Sequence, residues 1–250
     1  MKKILIIGAG AMGSAFSVPC VENKNDTTLV GTHLENDLIN SIKSNNNLHP
    51  TLKTSLPQKL IIEKYEKLSS NLKDDPDIIV VGVSSIGIDW FVNQIADHFK
   101  NKQRIVLLTK GLAIVNNELT TISEKIKNLL EKKGHKNLNI SAIKGPCLAA
   151  GLANKMRTGT VIANPDIKEA QYVKKIITTN YYSTEITDDL EGVELSGGIK
   201  NIYSMLIGAS EGLSNPKAPK EIQSKYYLNT AASLIHKSIS EMVEFVSHYG

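Results

Sequence analysis

The sequence predicts an α/β chain, a doubly wound parallel sheet followed by an all-α segment. Three observations carry this. Continuous apolar runs of strand length alternate with helix-like segments through most of the chain. A glycine turn, GAGAMG at 8–13, follows the first apolar run at once. After Asp188 and Asp189 the composition turns helical, so two domains are expected, residues 1–188 and 189–250.

The first strand is residues 4–7. Lys2 and Lys3 before it, and Cys20 after a run of small residues, imitate a leader peptide; a strand and glycine turn account for the run better, and Pro19 fits cleavage poorly. Strand, glycine turn and helix start in that order form the dinucleotide-binding fingerprint of a Rossmann sheet. Gly8, Gly10 and Gly13 leave room for a tight turn and close approach to pyrophosphate, and Ala11 and Met12 open a helix whose N–H groups face the phosphates. A ligand-free βα turn is the alternative. Pro19 is expected to kink or shorten that helix.

Residues 28–32 read as the second strand, ending at Thr32 and His33, where a dinucleotide's ribose is bound. His33 is therefore a candidate cofactor contact. The first acid, Glu35, comes slightly late and no arginine stands ready for a 2′-phosphate, which leaves NAD and NADP both open. Residues 34–43 look helical, and 44–60 form an Asn-rich connection through His49, Pro50 and Pro57. The strand at 77–83 ends in Ser84 and Ser85, beside the expected cofactor. A helix at 89–99 leads to the strand 104–109, edged by Lys110 and Gly111. Lys110 falls where functional residues of such sheets gather, though a solvated strand-end lysine reads equally well.

An amphipathic helix is expected at 118–133 and a strand at 139–143, entering Lys144, Gly145, Pro146 and Cys147. Gly-Pro fixes a loop there, which directs Gly145 and Cys147 into the same crevice. A small buried cysteine is commoner than a nucleophile without a His or acidic partner. Strands at 158–163 and 181–186 around a helix at 166–178 complete the sheet.

Residues 191–213 read as a buried helix with Gly197, Asn201, Ser204, Gly208 and Gly212 within one broad face. Mid-helix glycines cost about 1 kcal/mol each, so Gly197 and Gly198 imply close packing or function. Lys200 on this helix is expensive unless solvated, paired or employed; Glu194 is turned away from it and shares a face with Asn201. A core helix with a snorkelling lysine is the alternative. A break at Pro216 and Pro219 and a last helix from 224 follow.

With 41% hydrophobic and 22% charged residues over 250 positions, the composition is that of an ordinary globular chain. The net charge of +4 is scattered, which argues against nucleic-acid and membrane partners while allowing a small phosphorylated anion. Cys20 and Cys147 are the only cysteines and no Cys or His pair has metal-ligand spacing, so neither disulfide nor metal is expected and a cytoplasmic setting is. No segment approaches membrane-spanning length.

Together the segments IGAGAMGSA (7–15), VVGVSS (80–85), LLTKG (107–111), GPCLAAGLA (145–153), DDLEGVELSGGIKNIYSM (188–205) and NTAASLIHKSISEM (229–242) resemble the NAD(P)-dependent glycerol-3-phosphate dehydrogenases. The resemblance spans essentially the whole chain. It implies an enzyme that reduces dihydroxyacetone phosphate with NAD or NADP, supplies glycerol phosphate for phospholipid synthesis and forms a homodimer. It further implies Lys200 as the acid/base, Lys110 touching substrate and nicotinamide, and Ala149 touching the cofactor. Gly145, Cys147 and Asn201 then contact substrate, with cysteine where the family has serine. Gly151 stands where the family has glutamate, and family members continue past this chain's last helix through segments carrying an aspartate, an arginine and an asparagine of the site. Weak or absent activity of the isolated chain is the expectation that follows. The rivals are a ketopantoate reductase or β-hydroxyacid dehydrogenase, and a silent dinucleotide-binding protein.

Overall fold

The computed structural model describes residues 1–115, 117–213 and 219–249, with the side chains of all of these except 211–213 and 220–227; Pro216 lies outside the described residues. The chain opens with β1 (Lys3–Ile7), α1 (Ala11–Glu22), β2 (Asp26–Val30) and α2 (Asn36–Ser44). Two short strands, β3 (Leu48–His49) and β4 (Thr54–Ser55), precede β5 (Ile61–Glu63), α3 (Leu68–Lys73), β6 (Ile78–Val81) and α4 (Ile88–Ile95). Next come β7 (Arg104–Leu107), the hairpin β8 (Leu112–Val115) and β9 (Glu118–Thr121), α5 (Ile122–Lys132), β10 (Asn139–Lys144) and α6 (Ala149–Ala153). The sheet is completed by β11 (Thr158–Ala163), α7 (Ile167–Ile177) and β12 (Tyr182–Thr187), and the chain continues in α8 (Leu190–Leu213) and α9 (Lys220–Tyr249).

Eight strands form one sheet in the order β12-β11-β10-β7-β6-β1-β2-β5. The apolar runs are continuous because helices cover both faces. Ile4, Ile6, Ile78, Val80 and Val106 pack with residues of α1 and α7 on one side. Leu5, Ile7, Ile79, Val81, Ile105 and Leu107 pack with α3, α4 and α5 on the other. The chain reverses its direction of sheet growth between β1 and β6, which opens a crevice beyond their carboxyl ends.

Four expectations change. The sheet is not wholly parallel: β11 runs antiparallel to β10, and β12 parallel to β11. The β10–β11 connection carries only the short α6 and brings the chain back beside β10, as antiparallel pairing allows. The helix expected from residue 118 starts at Ile122, because Thr121 caps it by accepting the Glu124 N–H at 3.3 Å, and residues 118–121 pair with β8 instead. Helix α1 is not cut short at Pro19 but runs to Glu22. Lastly, α8 is buried only in its first half. Glu194 and Leu195 are sealed where α8 crosses β10, whereas Ile202, Met205 and Leu206 are 56%, 66% and 50% exposed.

Candidate functional site

The glycine turn lies at the centre of the crevice. Gly8 has φ +110°, and a Cβ on it would stand 2.7 Å from the Gly82 carbonyl carbon. A Cβ on Gly13 would stand 2.1 Å from the Gly8 oxygen, so α1 is pressed directly on the turn. Gly10 is the N-cap of α1 and brings no side-chain cap, and the first-turn N–H groups of Ala11, Met12 and Gly13 lack intrahelical acceptors. This is a cradle of bare backbone donors shaped for a pyrophosphate, and it fits the phosphates of a dinucleotide.

Glu35 corrects the sequence spacing. The segment after β2 curls back so that Glu35 Oε2 accepts the N–H groups of Ala9 at 2.9 Å and Thr32 at 2.8 Å. The acid that comes late along the chain thus reaches the glycine turn in space. His33 is exposed beside it, its ring 5.3 Å from that of Trp90 and 6.0 Å from that of Tyr65.

On the other side of the turn, a cavity of about 280 Å³ is lined by Met12, Gly82, Ser84, Leu108 and Lys110. Its floor is tied together by the Thr109 hydroxyl, which donates to the Val83 carbonyl at 2.7 Å. Cys147 is buried and its thiol is pushed up by that burial, which suits a packed side chain and not a thiolate nucleophile. Ala149 begins α6 and packs against the core cluster on the α1 side.

Lys200 projects from α8 and donates to the Gly145 carbonyl at 3.3 Å. Partial burial, and then the charge of Lys110, lower its pKa. Lys110, far away in sequence, thus lies near enough for its charge to act on Lys200, while the neighbouring Asn201 is exposed. A second cavity, about 510 Å³, is lined by Lys144, Gly145, Val161, Gly197, Lys200 and Val246. A shallow depression of about 640 Å³ over α2 and β5 is bordered by none of the predicted site residues.

The residue that sequence reading missed is Lys144. It is 5% exposed, its amine donates to the Thr109 carbonyl next to Lys110, and its chain lies where a Cβ on Gly197 would stand 3.1 Å away. Burial pushes its pKa down to about 8, with Lys110 adding to the fall and Glu194 opposing it. Glu194 is fully buried and accepts the Ser123 N–H at 3.2 Å; burial raises its pKa and Lys144 opposes the rise. The signal available in the sequence was a lysine closing an apolar strand directly before Gly145. Among the described residues no group of three His, Cys, Asp or Glu could hold a metal ion, and no helix is long and apolar enough to cross a membrane.

Comparison with known proteins agrees with this geometry. The chain is 32% identical over 249 residues to a protein of Archaeoglobus fulgidus named NADP(+)-dependent glycerol-3-phosphate dehydrogenase, covering 99% of this chain and 70% of that one. A Leptospira biflexa protein named glycerol-3-phosphate dehydrogenase [NAD(P)+] is 31% identical over 96% of this chain and 66% of its own length. The chain thus spans about two thirds of the length of these curated relatives. The crystal structure of glycerol-3-phosphate dehydrogenase from Coxiella burnetii shares the fold, with a TM-score of 0.80 at 22% identity over 100% of this chain and 70% of that one. Models of the NAD-dependent glycerol-3-phosphate dehydrogenase N-terminus and C-terminus match residues 3–170 and 189–250, and the chain belongs to that family.

Proposed function

We propose that this chain catalyses the reversible NAD(P)-linked reduction of dihydroxyacetone phosphate to sn-glycerol 3-phosphate, supplying phospholipid synthesis from the cytoplasm. In this reading residues 1–188 hold the dinucleotide and 189–250 contribute the acid/base. The observation that carries it is Lys200 reaching the Gly145 carbonyl, with Lys110 lining the cavity beside a cradle fit for a dinucleotide. The names of the curated relatives supply the substrate.

A reduced nicotinamide, when bound, supplies the hydride for the carbonyl carbon. The chain's own residues do the rest. Lys200 gives its ammonium proton to the carbonyl oxygen, and a lowered pKa brings that transfer nearer neutral pH. Lys110 holds the substrate and its phosphate by charge, and Gly145 and Cys147 shape the loop over it. Exposed Ile202, Met205 and Leu206 support assembly as a homodimer.

The test is dihydroxyacetone phosphate-dependent oxidation of NADH and NADPH. Lys200→Ala should lower kcat at least about a hundredfold, the usual scale for a lost general acid. Unchanged turnover in that variant, or a preference for a 2-oxo or 3-hydroxy acid, overturns the reading.

A further inference from the structure

We propose that Lys144, balanced by Glu194, is a positioning residue that fixes Lys110 relative to Lys200 while standing outside the reacting atoms, a role that rests on the reaction proposed above and adds a residue to it.

Lys144 joins three elements. It closes β10, and its own carbonyl accepts the Thr160 hydroxyl of β11 at 2.6 Å. Its amine donates to the carbonyl of Thr109, in the peptide unit that also carries the Lys110 N–H. Between these two ends its alkyl chain lies on the backbone of α8, where a Cβ on Gly197 would stand 3.1 Å from Cδ and 3.2 Å from Cγ. A glycine that weakens the helix at 197 is thereby accounted for, since any larger residue would press on Lys144. Gly145 follows Lys144 directly, and its carbonyl accepts the Lys200 amine at 3.3 Å. Lys144 therefore links the peptide before Lys110 to the loop that Lys200 meets.

Packing does not explain the charge. Apolar side chains of similar volume are often as stable as a buried ion pair, and a methionine would fill the same slot against Gly197. What methionine lacks is the donor to Thr109, and a hydrogen bond from an ionised donor is about twice as strong as a neutral one. The Thr109 hydroxyl donates in turn to the Val83 carbonyl at 2.7 Å, so the residue before Lys110 is held through both its side chain and its carbonyl. Glu194 favours the charged amine against the burial that opposes it, and is itself anchored by the Ser123 N–H at 3.2 Å. A misplacement of about 1 Å can cost about a hundredfold in rate, so a clamp on this peptide bears on the reaction.

The charges that act on Lys200 are few. After burial, Lys110 lowers its pKa and Cys147 opposes the fall. Lys144 and Asp189 line the same cavity, to which α9 contributes no titratable side chain among the described residues. A loosened Lys110 is therefore read in the acidity of Lys200.

The test is Lys144→Met combined with Glu194→Gln, which removes the charged donor without stranding the carboxylate. Three quantities are measured: urea denaturation, competitive acylation of Lys200 by acetic anhydride against the exposed Lys168 across a range of pH, and dihydroxyacetone phosphate-dependent oxidation of NADH and NADPH. Acylation needs no turnover. The double variant should recover most of the stability lost in Lys144→Met alone, yet the apparent pKa of Lys200 should rise by at least about half a unit. Its kcat should fall at least about tenfold, with the KM for the nucleotide changed less than about threefold. Gly197→Ala presses a methyl group on the Lys144 chain with every charge in place, and should move Lys200 acylation and kcat in the same directions. It decides the matter if the double variant does not fold. Unchanged acylation of Lys200 in a folded variant overturns the proposal, as does shifted acylation with wild-type kcat. Where wild type itself does not reduce dihydroxyacetone phosphate, a shift in acylation upholds the placement of the lysines and sinks the proposed reaction.

Discussion

At the scale of single residues, Lys144 shows what burial does to a charge. Its amine is held by the Thr109 carbonyl and balanced in part by Glu194, so removing it strands a buried carboxylate. Lys144→Met should therefore cost about 3 kcal/mol in urea denaturation, and adding Glu194→Gln should recover more than half of that loss. A single variant as stable as wild type would contradict this account. The pH dependence has a definite sign. A lysine at about 8 in the fold and about 10.4 when unfolded binds more protons in the unfolded chain between those values. Relative to Lys144→Met, wild-type stability should then rise from pH 8 toward pH 10, by up to about 1.4 kcal/mol per unit. None of this follows from the sequence, where Lys144 reads as an ordinary strand-end lysine, because the groups that set its charge lie just after β7 and on α8.

At the scale of elements, the contact between α1 and the glycine turn is the tightest in the site. Gly13→Ala sets a methyl group against the Gly8 oxygen. It should destabilise the chain by about 1–3 kcal/mol and weaken nucleotide binding at least tenfold. Gly151→Ala is the control, since a Cβ there meets only Met156 at 4.0 Å within α6, and it should leave both nearly unchanged. Thermal melts and nucleotide titrations of the two variants read the difference. The glycine pattern made this element legible in sequence. The hairpin β8–β9 was less so, because Glu118 to Thr121 continues the polar and apolar spacing of the helix after it until the Thr121 cap interrupts it.

At the scale of the whole molecule, α8 and α9 pack together and carry exposed Ile202, Met205, Leu206 and Ile235. Self-association is expected to bury this surface. Ile202→Asp with Leu206→Asp should shift sedimentation toward the monomer while altering the unfolding free energy by less than about 1 kcal/mol, as exposed substitutions do. A wild-type chain that sediments as a monomer at tens of micromolar would remove the homodimer from the proposed function. The parallel part of the sheet was legible from its continuous apolar strands. The reversal at β11 was not, because strand composition says nothing about direction.

The sequence by itself determined seven of the eight strands of the main sheet, though not its edge strand β5, together with the glycine turn before α1, the lysine-bearing helix and hence the family resemblance, all of which are encoded in local spacing and short-range periodicity. Only the tertiary structure decided that Glu35 returns to the glycine turn, that Lys200 reaches the Gly145 carbonyl, and that Lys144 is a buried charge. Each of these is a meeting of segments distant along the chain, set by sheet order and burial, which local patterns do not carry.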